Sequence, residues 1–305
     1  MLRSTRSRGW ARFLPVAFAA LTLIGCGPSG NGAVDVVATT SPVTALAREV
    51  LADTGLTVVG LVGPGVDPHD YEASPDDVKK IGAAKLVLRS GLGIDAFLDR
   101  PLENSGQRTV VTVTRGVKVR EGKDEEGQPE DDAHVWHDPT NDKIMVDNIV
   151  KALSTAYPDR ADTFAKNGAA YQAKLDDVDA QIKQLIDSIP EANRKMVTNH
   201  DAFGYFIERY GLTFVGAVIP SVSTQGDTSA KQLAALEDTI KREGVKAIFA
   251  ESSMDPKIAK QIANDTGVKI VDDLYGDSLG EPGSGSETVD GMLLLNAKKI
   301  VEALK

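Results

Sequence analysis

The chain has 305 residues, of which 42% are hydrophobic and 26% charged, and its formal net charge is −10. This length and composition fit a globular protein of about two domains. The acidic balance argues against a nucleic-acid partner, because a surface that binds nucleic acid needs a basic face.

The first 25 residues are typical of an export signal. Four arginines and no acid are followed by an apolar run at 13–25, and Cys26 comes directly after it. The run is too short to cross a bilayer as a helix, which needs about 20 apolar residues. The ending LIGC resembles a bacterial lipobox, which implies that Cys26 is lipidated and becomes the first mature residue. The alternative is an ordinary signal peptide with a chance cysteine.

We therefore predict a lipoprotein signal peptide at 1–25 and a tether at 26–33. Removing the signal takes the net charge from −10 to −14. The expected location is the extracytoplasmic face of a bacterial cell membrane, with anchoring through Cys26. Because Cys26 is the only cysteine, thiolate nucleophiles and cysteine zinc sites are excluded.

Apolar strand-like runs alternate with helical patterns in the first half of the mature chain. The runs lie near 35–40, 56–61, 85–90 and 109–113. One intervening helix carries its own start signal, with Ser74 as N-cap, Pro75 at the first position and Asp77 three residues after the cap. Continuous apolar strands separated by helices indicate a parallel sheet covered on both faces. We predict an N-terminal α/β lobe over 34–158.

The second half repeats this alternation, with strand-like runs near 195–199, 212–218, 246–251 and 268–273. The pattern predicts a similar C-terminal α/β lobe over 190–305. The fold class is therefore α/β, with two similar lobes of about four parallel strands each.

The segment 159–189 between the lobes has a different pattern. Apolar or small residues recur there at steps of four and three: Phe164, Gly168, Tyr171, Leu175, Val178, Ile182, Leu185 and Ile189. This spacing predicts one long linking helix with a single apolar stripe. A coiled-coil dimer would give the same stripe, but we expect a monomer in which the helix packs on both lobes. Such a spine would let a cleft between the lobes open only slightly.

The segment 119–133 is strongly acidic and shows no periodicity. We favour a solvated, mobile loop. The alternative is a flap that collects cations beside a binding site.

The chain has only four histidines, His69, His134, His137 and His200. Three of them follow predicted strands, and ligands of parallel α/β sheets gather at the carboxyl ends of the strands. Neutral imidazoles are good ligands for first-row divalent metal ions, and three of them leave a fourth position open or available to a carboxylate. The positions therefore predict a metal site in a cleft between the lobes.

Four stretches make the sequence recognisable. They are GVDPHDYEASPDD (65–77), HVWHDP (134–139), NHDAFGYFIERYGL (199–212) and LYGDSLGEPGSGSETVDGM (274–292). Together they resemble the zinc- and manganese-binding solute receptors of bacterial ABC importers, over nearly the whole mature chain. The resemblance implies two lobes joined by a rigid helix and one metal ion in the interlobe cleft. Its metal ligands fall on His69, His134, His200 and Asp277.

Two positions bear on the choice of metal. His137 stands where the family usually has an apolar residue, and in an extended segment it would point away from His134, so we leave it out of the site. At position 200, manganese-preferring relatives typically carry glutamate and many zinc-preferring ones histidine. Three nitrogens and one carboxylate suit Zn²⁺, whereas Mn²⁺ prefers more oxygen ligands. We predict one ion per chain, with Zn²⁺ favoured over Mn²⁺.

A carboxylate should hold at least one ligand ring in place. Glu251 is the preferred candidate because IFAESS places it at a strand exit, although a helix-capping or lobe-bridging role is the alternative. Asp67, Glu72 and Asp201 are further candidates.

The predicted function is a lipid-anchored receptor that captures Zn²⁺ or Mn²⁺ and delivers it to an ABC importer permease, without enzymatic activity. Metal affinity should fall as the pH drops through about 6.5, because binding needs deprotonated imidazoles. One alternative is a zinc-dependent hydrolase, which would need an open coordination position that Asp277 closes. The other is a surface adhesin with a structural metal.

Overall fold

The structure is a computed structural model that describes residues 1–2, 34–103 and 109–305. Apart from Met1 and Leu2, the predicted signal peptide (1–25) and the tether (26–33, with Cys26) lie outside the described residues. Within the described ranges, no helix combines the length and the apolar character needed to cross a membrane.

The N-terminal lobe is built on a four-stranded parallel sheet in the order β2-β1-β3-β4. Its strands are β1 (Val36–Ala38), β2 (Val58–Gly60), β3 (Leu86–Arg89) and β4 (Thr109–Thr112), and its helices are α1 (Ser41–Leu51), α2 (Pro75–Ala83), α3 (Asp99–Glu103) and α4 (Pro139–Ala156). All three residues of β1 are fully buried, as expected for a strand covered on both faces. Helix α2 begins at the predicted signal, since Ser74 and Asp77 form a reciprocal capping box.

The acidic segment contains a short antiparallel hairpin rather than a simple loop, and its strands are largely exposed, as predicted for a solvated segment. Strands β5 (Glu121–Lys123) and β6 (Pro129–Asp131) pair antiparallel. At the turn, the carboxylate of Asp124 accepts a hydrogen bond from the backbone N–H of Gln128 at 2.7 Å, and Gly127 adopts a positive φ of 79°. Glycine takes that backbone conformation without a steric penalty, which closes the turn.

Helix α5 (Ala161–Asp187) follows and spans 27 residues, about 40 Å at 1.5 Å per residue. Its buried positions are Phe164, Gly168, Tyr171, Leu175, Val178, Ile182 and Ile186. The stripe therefore follows the predicted spacing as far as Ile182 and then passes to Ile186, while Leu185 is only partly buried. A strict seven-residue spacing advances 3.5 residues per turn, whereas a straight helix needs 3.6, so the buried face slips by one residue.

The C-terminal lobe has the same architecture, with the sheet order β10-β9-β7-β8 and parallel pairing throughout. Its strands are β7 (Lys195–Thr198), β8 (Thr213–Ala217), β9 (Ala247–Glu251) and β10 (Lys269–Leu274), and its helices are α6 (Gly204–Tyr210), α7 (Ala230–Glu243), α8 (Lys257–Thr266) and α9 (Val289–Leu304). The predicted α/β fold class with two similar lobes is confirmed.

Helix α5 joins the two lobes by packing. It contacts α1 and α4 of the N-terminal lobe and α9 of the C-terminal lobe. The largest cluster of buried apolar residues runs without interruption from the first sheet across α5 to α9. This shared core holds the carboxyl ends of both sheets on either side of one cleft.

Candidate metal centre

Four side chains from the two lobes meet in the cleft. His69 follows β2, His134 follows the β5–β6 hairpin, His200 follows β7 and Asp277 follows β10. One donor atom from each lies within 4.8 Å of the other three. The side chains of His134, His200 and Asp277 are fully buried, and that of His69 is 12% exposed. Each lobe thus contributes two potential metal ligands.

The distances between donor atoms are close to those of a tetrahedral site. From the Asp277 carboxylate, the Nε2 atoms of His134, His200 and His69 lie at 2.8, 3.4 and 3.7 Å. The Nε2 atoms of His134 and His200 are 3.4 Å apart. Zinc ligands at 2.0–2.2 Å in a tetrahedron are separated by roughly 3.3–3.6 Å. A small cation therefore fits between these four atoms with little rearrangement.

The unsatisfied polar atoms of the cleft also fit a cation. Among the described residues, none donates a well-aligned hydrogen bond to either oxygen of Asp277, and Nε2 of His69 likewise has no hydrogen-bond partner. The imidazoles of the cluster are the only ion-pair partners that the described residues offer this buried carboxylate, at 2.8–3.7 Å, and aligned hydrogen bonds to it are missing. Coordination of a divalent ion would satisfy all three atoms together.

Two further carboxylates hold the buried imidazoles from behind. Oδ1 of Asp132 lies 2.7 Å from Nδ1 of His134. Oε1 of Glu251 lies 2.6 Å from Nδ1 of His200, although this pair is not aligned as a hydrogen bond. A carboxylate beside Nδ1 favours the proton there and leaves the Nε2 lone pair for a metal.

Glu251 also accounts for the presence of glycine at position 276. Its second oxygen, Oε2, accepts a hydrogen bond from the backbone N–H of Asp277 at 3.1 Å. A Cβ atom on Gly276 would lie 1.8 Å from this oxygen, so only glycine lets the chain pass so close. Glu251 thus touches both C-terminal-lobe members of the cluster, as expected from its position at a strand exit.

The electrostatics of the cluster favour charged forms despite complete burial. Burial opposes the charge on His134, but the carboxylates of Asp277 and Asp132 raise its pKa to about 10. Burial likewise opposes the charge on His200, and Glu251 and Asp277 raise its pKa well above the usual value. Against the same penalty, the three imidazoles hold the pKa of Asp277 well below its usual range. The metal-free centre therefore binds protons where a metal ion would bind.

His137 lies apart from the cluster, although the reason given from sequence was wrong. Val135–His137 form a short 3₁₀ helix rather than an extended segment. The ring of His137 is buried against Phe203, and its Nε2 lies 3.0 Å from the carbonyl oxygen of Gly276. Burial lowers its pKa to about 3, so the neutral ring donates to that carbonyl. His137 supports the segment that carries Asp277.

The comparison with known protein families agrees with this geometry. The family described as "Zinc-uptake complex component A periplasmic" matches residues 36–303, which include both lobes and all four members of the cluster. The chain belongs to this family. Several relatives of this chain, such as those of Streptococcus mitis and Streptococcus cristatus, are named as substrate-binding lipoproteins of manganese or metal ABC transporters.

Members of the family similar to this chain are named for different metals. The manganese-binding lipoprotein MntA of Bacillus subtilis is 34% identical over 95% of this chain and 97% of its own length. The zinc-binding protein TroA of Treponema pallidum is 34% identical over 88% of each chain. The solved structure of TroA superposes with a TM-score of 0.82 at 32% identity, covering 90% of this chain and 99% of TroA.

A second solved structure shows the same fold with another ion. The manganese-bound periplasmic metal-binding protein of Candidatus Liberibacter asiaticus matches with a TM-score of 0.78 at 28% identity. The match covers 89% of this chain and all of that protein. Neither identity nor fold therefore distinguishes zinc from manganese for this chain.

Asp132 is a residue of the candidate site that the sequence analysis did not single out. Besides holding the His134 ring, its Oδ1 accepts a hydrogen bond from the backbone N–H of His134 at 3.0 Å. Asp67 makes the same local turn with the backbone N–H of His69 at 2.8 Å. The sequence feature that indicates this turn is an aspartate two residues before a histidine, and it precedes both His69 and His134.

The cleft opens beside His69. A cavity of about 440 Å³ is lined by His69, by carboxylates of the β5–β6 hairpin and by the loop after β8. Four consecutive residues of that loop hydrogen-bond to the N-terminal lobe: Val222 to the Lys123 carbonyl (2.9 Å), Ser223 to Glu125 (3.0 Å), Thr224 to Asp67 (2.8 Å) and Gln225 to the His69 carbonyl (2.7 Å). The hairpin therefore forms one wall of the entrance, and the C-terminal lobe fastens to it there.

Proposed function

We propose that this chain captures one divalent transition-metal ion in the interlobe cleft, Zn²⁺ in preference to Mn²⁺, and delivers it to the permease of an ABC importer. The proposed ligands are His69, His134, His200 and Asp277. The observation that carries the proposal is the convergence of four donor atoms, two from each lobe, with no aligned hydrogen bond from the described residues to either oxygen of Asp277. The names of relatives that bind manganese or zinc support the class of substrate.

The preference for zinc rests on the chemistry of the donors. Three imidazole nitrogens and one carboxylate form a mainly nitrogen, four-coordinate set, which suits Zn²⁺. Mn²⁺ prefers more oxygen ligands and lies lowest in the affinity order of first-row divalent ions. A hydrolase gains no support, because four protein donors occupy the position that an activated water would need. No observation favours a structural metal in an adhesin.

Metal competition on the purified, chelator-stripped protein tests the proposal. Zn²⁺ and Mn²⁺ are titrated separately and then together, and bound ions are counted by mass spectrometry. We expect one tight Zn²⁺ per chain, displaced Mn²⁺ in the mixture, and loss of tight binding in His69→Ala and His200→Ala. Gln181→Ala is the control, since this exposed residue of α5 contacts no member of the cluster. Manganese retained against equimolar zinc would refute the preference, and no tight metal would refute the function.

We also propose that the protein is a monomer anchored to the extracytoplasmic face of the membrane through lipidated Cys26. The lipoprotein relatives support this location. Metabolic labelling with a radioactive fatty acid should mark the parent protein and not Cys26→Ala. A labelled Cys26→Ala protein would contradict the anchor.

A further inference from the structure

Arg120 lies between the two lobes, immediately behind the metal centre. Its side chain is 18% exposed, and its Nη1 lies 2.6 Å from Oδ2 of Asp132, which is fully buried. The other oxygen of Asp132 holds the His134 ring. The guanidinium therefore fixes the carboxylate that fixes a proposed metal ligand.

The same guanidinium binds the opposite lobe. Its Nε donates to Oε1 of Glu208 on α6 at 2.9 Å. The backbone nearby is tied in the same direction, because Tyr205 on α6 accepts a hydrogen bond from the Arg120 N–H and donates one to the Asp132 carbonyl, both at 2.9 Å. Helix α6 begins four residues after His200. Arg120 thus links the support of His134 in one lobe to the helix that follows His200 in the other.

The position of the Arg120 guanidinium, here called its seat, depends on the missing side chain of Gly204. A Cβ atom on Gly204, the first residue of α6, would lie 1.9 Å from Nη1 and 2.2 Å from Cζ of Arg120. Gly204 does not have a positive φ, so an alanine there is not strained by its backbone. Alanine would also favour the helix over glycine. The substitution Gly204→Ala therefore displaces Arg120 without an evident cost elsewhere.

We propose that Arg120 is a positioning residue for metal retention, which acts through Asp132 on His134 and clamps this ligand to helix α6 with Gly204 as its seat. This inference rests on the proposed function. Metal release requires the two ligands of one lobe to separate from the two of the other. Arg120 opposes that separation without contributing a donor atom, so its loss should accelerate release while the coordinating atoms stay the same.

Release of Co²⁺ tests the clamp, because cobalt replaces zinc at nitrogen-rich sites and absorbs visible light. The cobalt-loaded protein is mixed with excess chelator, and the absorbance decay gives the release rate. Carboxylates and other groups that orient metal ligands typically contribute 10–100-fold in metal affinity. We expect release about 10–100-fold faster from Arg120→Ala and faster release from Gly204→Ala, with unchanged cobalt spectra. Arg120→Lys should release cobalt more slowly than Arg120→Ala but faster than the parent, since a single ammonium group keeps the charge but not the planar fork of the guanidinium.

A double-mutant cycle separates this role from general loosening. If Gly204 acts by seating Arg120, Gly204→Ala has no further effect in the Arg120→Ala background. Arg209→Ala is the matched control, because Arg209 also lies on α6 and pairs with carboxylates, Asp179 and Asp138, that hold no proposed ligand. Should Arg120→Ala not fold, Gly204→Ala keeps every charge and carries the test alone.

Three results would overturn the clamp. The first is a release rate within twofold of the parent's in Gly204→Ala and in any Arg120 variant that folds. The second is a double variant whose release rate is accelerated by the product of the two single effects, and the third is equal acceleration by Arg209→Ala. In these cases the parent still binds cobalt and the proposed function stands. A parent protein that binds no cobalt would instead refute the proposed function, and the clamp with it.

Discussion

Metal binding at this centre should release protons, and their number follows from the two buried imidazoles. Burial opposes their charge, but Asp277 and Asp132 raise the pKa of His134 to about 10, and Glu251 and Asp277 raise that of His200 well above its usual value. Both shifts favour the doubly protonated form of the two rings in the metal-free protein. Coordination through Nε2 removes one proton from each ring.

The sign and size of the pH dependence follow. Lowering the pH favours the protonated rings, so metal affinity falls as the pH falls. Each displaced proton contributes a factor of ten per pH unit, and two contribute about 100-fold, or roughly 2.7 kcal/mol. Two imidazoles at their ordinary pKa near 6.5 would together release only about 0.2 proton at pH 7.5. Because of the neighbouring carboxylates, metal affinity should therefore depend on pH well above pH 6.5, the value expected from the sequence.

Calorimetric titration of Zn²⁺ at pH 7.5, in two buffers of different ionisation enthalpy, counts the released protons. We expect about two per ion, and affinities at pH 6.5 and 7.5 that differ by about 100-fold. Asp132→Asn is the matched variant, because it removes one of the two carboxylates that raise the pKa of His134, so its proton count should be lower than that of the parent. A parent count near 0.2, with affinities at the two pH values that differ by only about threefold, would refute the reasoning.

Three further predictions concern the supports of the site and the fold. Asp132→Asn and Glu251→Gln should each weaken Zn²⁺ binding by about 10–100-fold in competition with a coloured chelator, and unchanged affinity would mean that the rings are held by packing alone. Ser74→Ala removes the N-cap of α2 and should lower the free energy of unfolding in urea by about 1 kcal/mol; an unchanged midpoint would contradict the capping box. Gly168→Ala would place a Cβ atom 2.6 Å from Cγ2 of Val150, so it should destabilise the α4–α5 contact by about 1–3 kcal/mol in thermal unfolding, whereas a stabilised protein would show that these helices can separate freely.

The inner strands β1, β3, β7 and β9 and the long helix were predictable because their burial imposes an apolar pattern on the sequence. Strands covered on both faces are continuously apolar, and a helix buried on one face repeats with its own turn. The β5–β6 hairpin leaves no such trace, since its exposed strands consist mainly of charged residues. The only residues of this segment whose type indicates a hairpin are Asp124 and Gly127 at its turn.

The candidate site was predictable only in part. Strand exits and the family resemblance pointed to the four clustered residues, and Glu251 was recognisable at the end of its strand. Asp132 required attention to a local turn rather than to periodicity. Arg120 and Gly204 meet across 84 positions of sequence, and no local pattern indicates a contact that depends on how two lobes face each other.

The equal division of the cluster between the lobes has a consequence for the cargo itself. An ion held by His69 and His134 on one side and by His200 and Asp277 on the other is a removable cross-link between two halves of the chain. A ligand that binds the folded but not the unfolded protein raises the free energy of unfolding by mass action. The increase is about 4 kcal/mol when the ligand is at 1,000 times its Kd. Loading would therefore raise the free energy of unfolding of the whole carrier, and a permease that takes the ion would at the same time lower it again.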